Sequence, residues 1–349
     1  MNSGSYSQID RIVHKIVLGS STVQRMSFDF ETQAFAGDRS CQGARRAVFV
    51  TGLARSGTTT LLRLLYETGE FHSLTYRDMP FVLMPRLWTR FSQPGQKAAV
   101  AAERAHGDSV LVDFDSPEGF ECVFWRTFSG EAYSLPDCLI PHDPPADVLD
   151  KFRAYISIIA ERTPEAPRRY LSKNNNNLIR LNALRKSLPD AVILAMYRDP
   201  LQTAISSHRQ HLRFCEAQTQ DAFVLQYMNW LEHHEFGLGH KPFRFGPAAL
   251  SGFNPSEPNY WLNYWIQIYE HLLSTDTSFH LVNYETFCAT PLPALSSLFS
   301  VLELNSDPVD FSSKFRLAST SRLPAFDSGL ARRAAVVYQE LCADRRNVC

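Results

Sequence analysis

At 349 residues, 44% apolar and 12% aromatic, the chain can bury a large core, and α/β folds of this length commonly close as one domain. With 35 basic against 36 acidic residues and a net charge of −1, it has no global field to hold nucleic acid or an anionic membrane, so any anion must be gripped locally. Seven scattered cysteines (Cys41, Cys122, Cys138, Cys215, Cys288, Cys342 and Cys349) lack a Cys-x-x-Cys pair or zinc-like spacing, which reads as reduced thiols in the cytoplasm. The amino terminus has no apolar signal core, and no stretch reaches the ~20 apolar residues of a membrane span.

In chain order, Ile9, Ile12, Val13, Ile16 and Val17 recur at helical spacing before Gly19. Residues 1–45 are therefore expected to form a helical segment packed on the core; weak peripheral membrane contact is the other use of such a face. From residue 46 to 349 a single domain is expected, in which helical patterns alternate with short β-branched runs as in a central parallel β-sheet flanked by helices. The first strand covers Arg46 to Thr51, and the helix after it carries Leu61, Leu62, Leu64 and Leu65 and stops at Gly69. Asp147 to Thr163 reads as a helix and Tyr170 to Ser172 as a short strand. In the next helix Leu178, Leu181, Leu184 and Leu188 form the buried stripe, Arg180, Arg185 and Lys186 face out, and Pro189 ends it.

Ala191 to Tyr197 is continuously apolar and reads as a buried strand; Asp199 then serves as an N-cap and Pro200 as the first helical residue. Residues 214–258 show no clear period and are expected to be an insertion covering a site. A Trp- and Tyr-rich helix (Tyr260 to Leu273), a strand (Phe279 to Asn283) and a helix through Leu295, Leu298 and Leu302 follow.

Between the first strand and its helix lies Gly52-Leu53-Ala54-Arg55-Ser56-Gly57-Thr58-Thr59, where backbone N–H groups and the helix dipole can hold a phosphate. The glycines have the spacing of a nucleotide-triphosphate loop, but Thr58 stands where that loop needs Lys. A cation sits inside the loop instead, as Arg55, with Ser56, Gly57, Thr58, Thr59 and Thr60 supplying amides and hydroxyls. A second element, Arg198 at the end of the central strand and Ser206 eight residues later on the following helix, brings a guanidinium and a hydroxyl to the carboxyl edge of the sheet, which suits a further phosphate.

Together the two elements resemble the sulfotransferase family, especially its bacterial members and its tyrosylprotein and carbohydrate branches. The family's loop for the 5′-phosphosulfate has the form Lys/Arg-Ser-Gly-Thr-Thr, matched by Arg55 to Thr59; its 3′-phosphate element is an Arg and a Ser eight positions apart, matched by Arg198 and Ser206. The resemblance runs from about Ala47 to Leu304 and implies a P-loop-like sulfotransferase fold. It also implies 3′-phosphoadenosine-5′-phosphosulfate (PAPS) as co-substrate, no metal, and a hydroxyl or amine acceptor on a small molecule, lipid or carbohydrate. The late Arg-Lys-Gly segment of cytosolic members has only Lys314-Phe315-Arg316 and Ser321-Arg322 as loose substitutes.

Sulfuryl transfer needs a base, cations for the sulfonate oxygens and stabilisation of the leaving oxygen. Arg55 suits the last two, and the resemblance implies Lys173 beside the sulfonate. Cytosolic members place a His two residues beyond that Lys, where this chain has Asn175. The tyrosylprotein branch instead takes a carboxylate from the segment past the loop helix, which nominates Asp78, with Glu118 next and His208 as a third candidate; a cap or an Arg77 pair is the other reading of Asp78. Phe81, Trp88, Phe91, Trp125, Tyr133 and Phe236 line an acceptor cleft or fill the core; Arg77, Arg86 and Arg90 either read an anionic acceptor or are ordinary surface. His233, His234 and His240 lack the carboxylate or Cys pattern of a metal site. The alternatives are a small-molecule kinase, which lacks its lysine here, and a non-catalytic nucleotide-binding module.

Overall fold

The computed structural model describes residues 8–35, 46–92, 102–103, 111–112, 115–163, 166–246, 252–309, 315 and 324–348. Helices α1 (Gln8–Gly19) and α2 (Ser21–Ala34) precede strand β1 (Val48–Gly52), which feeds α3 (Thr58–Glu67), β2 (Phe71–His72) and α4 (Pro85–Ser92). A short antiparallel pair, β3 (Ala102–Glu103) and β4 (Leu111–Val112), leads to α5 (Cys122–Tyr133), α6 (Ala146–Ala160), β5 (Arg169–Lys173), α7 (Leu181–Ser187) and β6 (Val192–Tyr197). Then come α8 (Pro200–Gln220), α9 (Ala222–Trp230), α10 (Pro258–Ser274), β7 (His280–Asn283), α11 (Tyr284–Ala289), α12 (Pro291–Leu302) and α13 (Ser328–Ala343).

Five strands form one parallel sheet in the order β2-β5-β1-β6-β7, with β1 at its centre. Both faces are covered, so the central strands β1 and β6 are almost continuously apolar rather than alternating with polar residues. Val48, Val50 and Leu194 face α3 and α12 through Leu61, Leu65, Leu295 and Leu298. Their neighbours Phe49, Ile193 and Ala195 belong to the opposite core, with Phe152, Ile156 and Trp265, as the two-residue period of a strand requires. Because the strands run parallel, Gly52, Lys173, Tyr197 and Asn283 all finish at one edge of the sheet, which is where the motif residues collect.

Several local expectations hold. Asp199 caps α8 by accepting from the Gln202 N–H at 2.8 Å, and Pro200 opens it. Gly69, at φ +76°, follows the end of α3. Others need correction. Leu178 lies in a 3-10 turn (Asn175–Ile179), not in the following helix, and this turn swings Arg180 inward rather than out. Arg180 is 1% exposed, sits over the rings of Trp125 and Tyr133 at 4.9 and 4.8 Å, and donates from Nε to His142 Nδ1 at 3.3 Å. Burial and that guanidinium push the His142 pKa down to about 3.

The segment after Phe214 is not irregular from its start, since α8 continues to Gln220 and α9 follows; the loop proper begins at Leu231. Helices α1 and α2 pack on α9, α5 and α6. In α1 the apolar Val17 and Leu18 are buried, along with His14, while Ile9, Ile12 and Ile16 are 73%, 56% and 57% exposed. Among the described residues, no helix is long and apolar enough to cross a membrane.

Candidate active site

The loop between β1 and α3 is shaped by two glycines. Gly52, at φ +138°, lies so close to β6 that a Cβ there would stand 2.5 Å from the Met196 carbonyl; at Gly57, φ +97°, a Cβ would meet the Tyr284 ring at 2.5 Å. No side chain fits either place. Arg55 is also left-handed, at φ +75°, a conformation uncommon for a residue with a side chain and found most often at functional loops. Ser56 turns back and closes the loop, donating from Oγ to the Leu53 carbonyl at 2.7 Å. Its hydroxyl is fully buried, so Ser56 contributes loop shape rather than the side-chain donor expected of it. Thr58, Thr59 and Thr60 form the first turn of α3, whose leading N–H groups have no partner within the helix.

The two motifs read 151 residues apart in the chain meet in space. Arg55 Nε donates to Ser206 Oγ at 2.9 Å, and an Arg198 terminal nitrogen donates to the Arg55 carbonyl at 3.3 Å. Arg198 lies over the Tyr284 ring at 4.8 Å, and its buried Nε makes no hydrogen bond among the described residues, standing 3.9 Å from Glu285 Oε1. Glu285 in turn accepts from the Asp199 N–H at 3.1 Å and from the Tyr338 hydroxyl at 3.1 Å, so α11 and α13 brace the strand end that carries Arg198. Burial raises the Glu285 pKa despite these donors and despite Arg198. Phe315 packs on Tyr284 and Phe287 at 5.8 and 4.9 Å; Lys314, Arg316, Ser321 and Arg322 lie outside the described residues.

Lys173 ends β5 beside β1, 8% exposed, with Nζ 3.8 Å from Glu118 Oε1. Glu118 also accepts from the Gly119 N–H at 3.0 Å and from the Tyr76 hydroxyl at 3.4 Å. Gly119 permits this approach, because a Cβ on it would stand 2.9 Å from the Lys173 carbonyl. Asp78, expected as the base, is held elsewhere. It is sealed from solvent, one oxygen takes the Thr75 N–H at 2.8 Å in a capping box, and the other takes Arg162 at 2.9 Å. With both oxygens engaged, the cap reading of Asp78 replaces the catalytic one. Arg77 pairs with Asp115 instead, at 2.8 Å, and His208 bonds the Ser256 carbonyl at 2.8 Å on an exposed surface.

Beside the loop lies a narrow, partly open cleft. Leu53 and Ala54 of the loop, Thr203 and Ser207 of α8, and Trp261 and Tyr264 of α10 line it, together with Asn175, Glu235 and Phe236. Of the six aromatic residues considered for an acceptor cleft, Phe236 is the one on this wall; Trp125 and Tyr133 enclose Arg180 in the core. Asn175 joins cleft to loop, its Oδ1 accepting from Thr58 Oγ1 at 3.4 Å and its Nδ2 donating to Glu235 Oε1 at 3.0 Å. Sequence reading passed over Glu235 because it lies in the aperiodic stretch; a carboxylate between His-His and Phe-Gly was the only available signal. Among the described residues, no group of three or more His, Cys, Asp or Glu is placed to hold a metal.

The chain is thus an α/β protein whose parallel sheet gathers a glycine-shaped loop, two guanidinium groups and a hydroxyl at its carboxyl edge. The family model for the sulfotransferase family matches residues 47–240, and the chain belongs to that family. Among solved structures it is similar to sulfotransferase STF1 from Mycobacterium tuberculosis H37Rv, at 14% identity over 98% of this chain and 88% of that one, with a TM-score of 0.48. It is also similar to sulfotransferase STF9 from Mycobacterium avium (14% identity, 98% and 86% covered, TM-score 0.49) and to the sulfotransferase domain from the curacin biosynthetic pathway (13%, 85% and 98%, 0.40). No curated protein matches the chain.

Proposed function

We propose that this chain transfers the sulfuryl group of PAPS to a hydroxyl or amine by in-line displacement, without a metal. The observation that carries this reading is the contact of Arg55 with Ser206 and of Arg198 with the Arg55 carbonyl, which gathers two guanidinium groups at the carboxyl edge of the sheet for a ligand with phosphate at both ends. Arg198 and Ser206 take the 3′-phosphate. The amides of Gly57 to Thr60 and the hydroxyls of Thr58, Thr59 and Thr60 take the 5′-phosphosulfate, and Arg55 stabilises the bridging oxygen as the S–O bond breaks. Lys173 faces the sulfonate oxygens, with Glu118 beside its ammonium at 3.8 Å. Asp78 has a structural role.

Adenosine 3′,5′-bisphosphate should raise the melting temperature in the absence of magnesium, by simple linkage. Arg55→Ala should lower turnover by about 10²–10³-fold, the usual cost of one lost transition-state donor. Unchanged melting with the bisphosphate, or near-normal turnover in the variant, contradicts the proposal.

A further inference from the structure

Among the described residues, the one carboxylate that lines the cleft beside the phosphate loop is not among the residues expected to react. We infer that Glu235 is the general base of the reaction, and that the cleft it lines receives an acceptor whose hydroxyl is carried on an apolar, ring-bearing skeleton. This rests on the sulfotransferase reading above.

The first argument is position. Glu235 hangs from Asn175, whose amide touches Thr58 at its other end, so the carboxylate is one side chain removed from the first helical hydroxyl of the loop. Asn175 directly follows the Lys173-Asn174 strand end and is 4% exposed, which fixes the orientation of the pair. The second argument is rigidity. The Leu231 to Phe243 loop that carries Glu235 is pinned at four places: Asn176 Nδ2 donates to the Glu232 carbonyl at 3.1 Å, and the Gly237 N–H donates to His211 Nδ1 at 3.2 Å. The Leu238 N–H donates to Gln218 Oε1 at 2.6 Å, and the Phe243 N–H to the Tyr264 hydroxyl at 3.0 Å. A base held on such a brace keeps its geometry through the reaction.

None of the earlier candidates lines this cleft: Asp78 is sealed against Arg162, Glu118 stands beside Lys173, and His208 bonds an exposed backbone carbonyl. Beside the polar His234 and Lys241, the cleft is lined by Leu53, Leu139, Phe236, Phe243, Trp261 and Tyr264, and this aromatic share favours a flat hydrocarbon body over a sugar. In the step itself the acceptor O–H bond breaks and its proton passes to Glu235 while the oxygen forms a bond to sulfur. The bond from sulfur to the 5′-phosphate bridging oxygen breaks, and its electron pair leaves on adenosine 3′,5′-bisphosphate.

Glu235→Gln keeps an oxygen for Asn175 to donate to, so the fold should survive. The wild type and this variant are compared with radiolabelled PAPS on 2-naphthol, on 4-nitrophenol at a mildly alkaline pH where that phenol is already ionised, and on water, read as sulfate release. Bisphosphate affinity is measured by calorimetry in parallel. Expected are unchanged bisphosphate binding, a loss of about 10²–10³-fold on 2-naphthol and on water, and a far smaller loss on the ionised phenol. Equal losses on the two phenols, or full rates on all acceptors with the bisphosphate still bound, overturn Glu235 as the base and leave the donor site standing. Failure of the wild type to bind the bisphosphate overturns the donor reading and this inference together.

Discussion

Replacing Arg198 by Gln and Ser206 by Ala, singly and together, tests the proposed 3′-phosphate grip most directly. The Nε of the half-buried Arg198 is itself buried and has no hydrogen bond among the described residues, so a phosphate oxygen would gain a charge-assisted contact there of ~1.5–3 kcal/mol. Losing it corresponds to about a 10- to 150-fold rise in the Kd for adenosine 3′,5′-bisphosphate. Ser206 offers a neutral hydroxyl already oriented by Arg55 at 2.9 Å; its loss should be worth ~0.5–1.5 kcal/mol, or about 2- to 10-fold. Because Arg198 props the carbonyl of the residue that holds Ser206, the double variant should depart from additivity by ~0.5 kcal/mol or more. Isothermal titration at low and high salt reads all three, and the Arg198→Gln variant should show the weaker salt dependence of a site with one cation fewer. Affinity within about twofold of wild type in Arg198→Gln would refute the assignment.

Gly57→Ala should abolish bisphosphate binding in a thermal-shift assay, since the new Cβ would meet the Tyr284 ring at 2.5 Å with φ at +97°; a normal shift would mean that the loop is not the grip. Asp78→Asn breaks a pair sealed from solvent, so unfolding in urea should show a loss of ~3–5 kcal/mol while turnover per folded molecule holds; a drop in turnover with stability intact would return Asp78 to the chemistry. Glu31 is fully buried and accepts from the Arg86 and Leu87 N–H groups at 2.8 and 3.1 Å, yet burial outweighs those donors and raises its pKa to about 7. The folded state therefore keeps a proton that the unfolded chain releases from about pH 4.5 upward, and stability falls as pH rises from there to about 7, by ~3 kcal/mol. Glu31→Gln should flatten that slope in denaturation curves taken across the range; an unchanged slope would assign it to other groups.

What could be read from sequence was what local physics decides. The strand, Gly-rich turn and helix around Arg55, the Asp199-Pro200 start of α8 and the apolar run of β6 are all written within a few neighbouring residues. The partnership of Arg55 with Ser206 was also within reach, because parallel strands deliver their carboxyl ends to one edge. Arg180 was misjudged since its place is set by Trp125 and Tyr133, far away in the chain, and by a 3-10 turn that shifts its register. Asp78 was misjudged for the same kind of reason: its partner Arg162 lies 84 residues on. In α9 the side chains Phe223, Tyr227 and Trp230 pack on one another, so its aromatic residues follow mutual stacking rather than a simple buried stripe, and the helical period is blurred. Glu235 carries no local signature; its meaning comes from Asn175 reaching across from β5.

The left-handed backbone at Arg55 is fastened from outside, by the guanidinium of Arg198 on its carbonyl. A ligand that drew Arg198 toward a phosphate would slacken that fastening, and one that left it in place would keep the loop taut. On the proposed reading, a phosphate at the far end of the nucleotide would thereby loosen the loop that clasps the near end, through a single peptide oxygen.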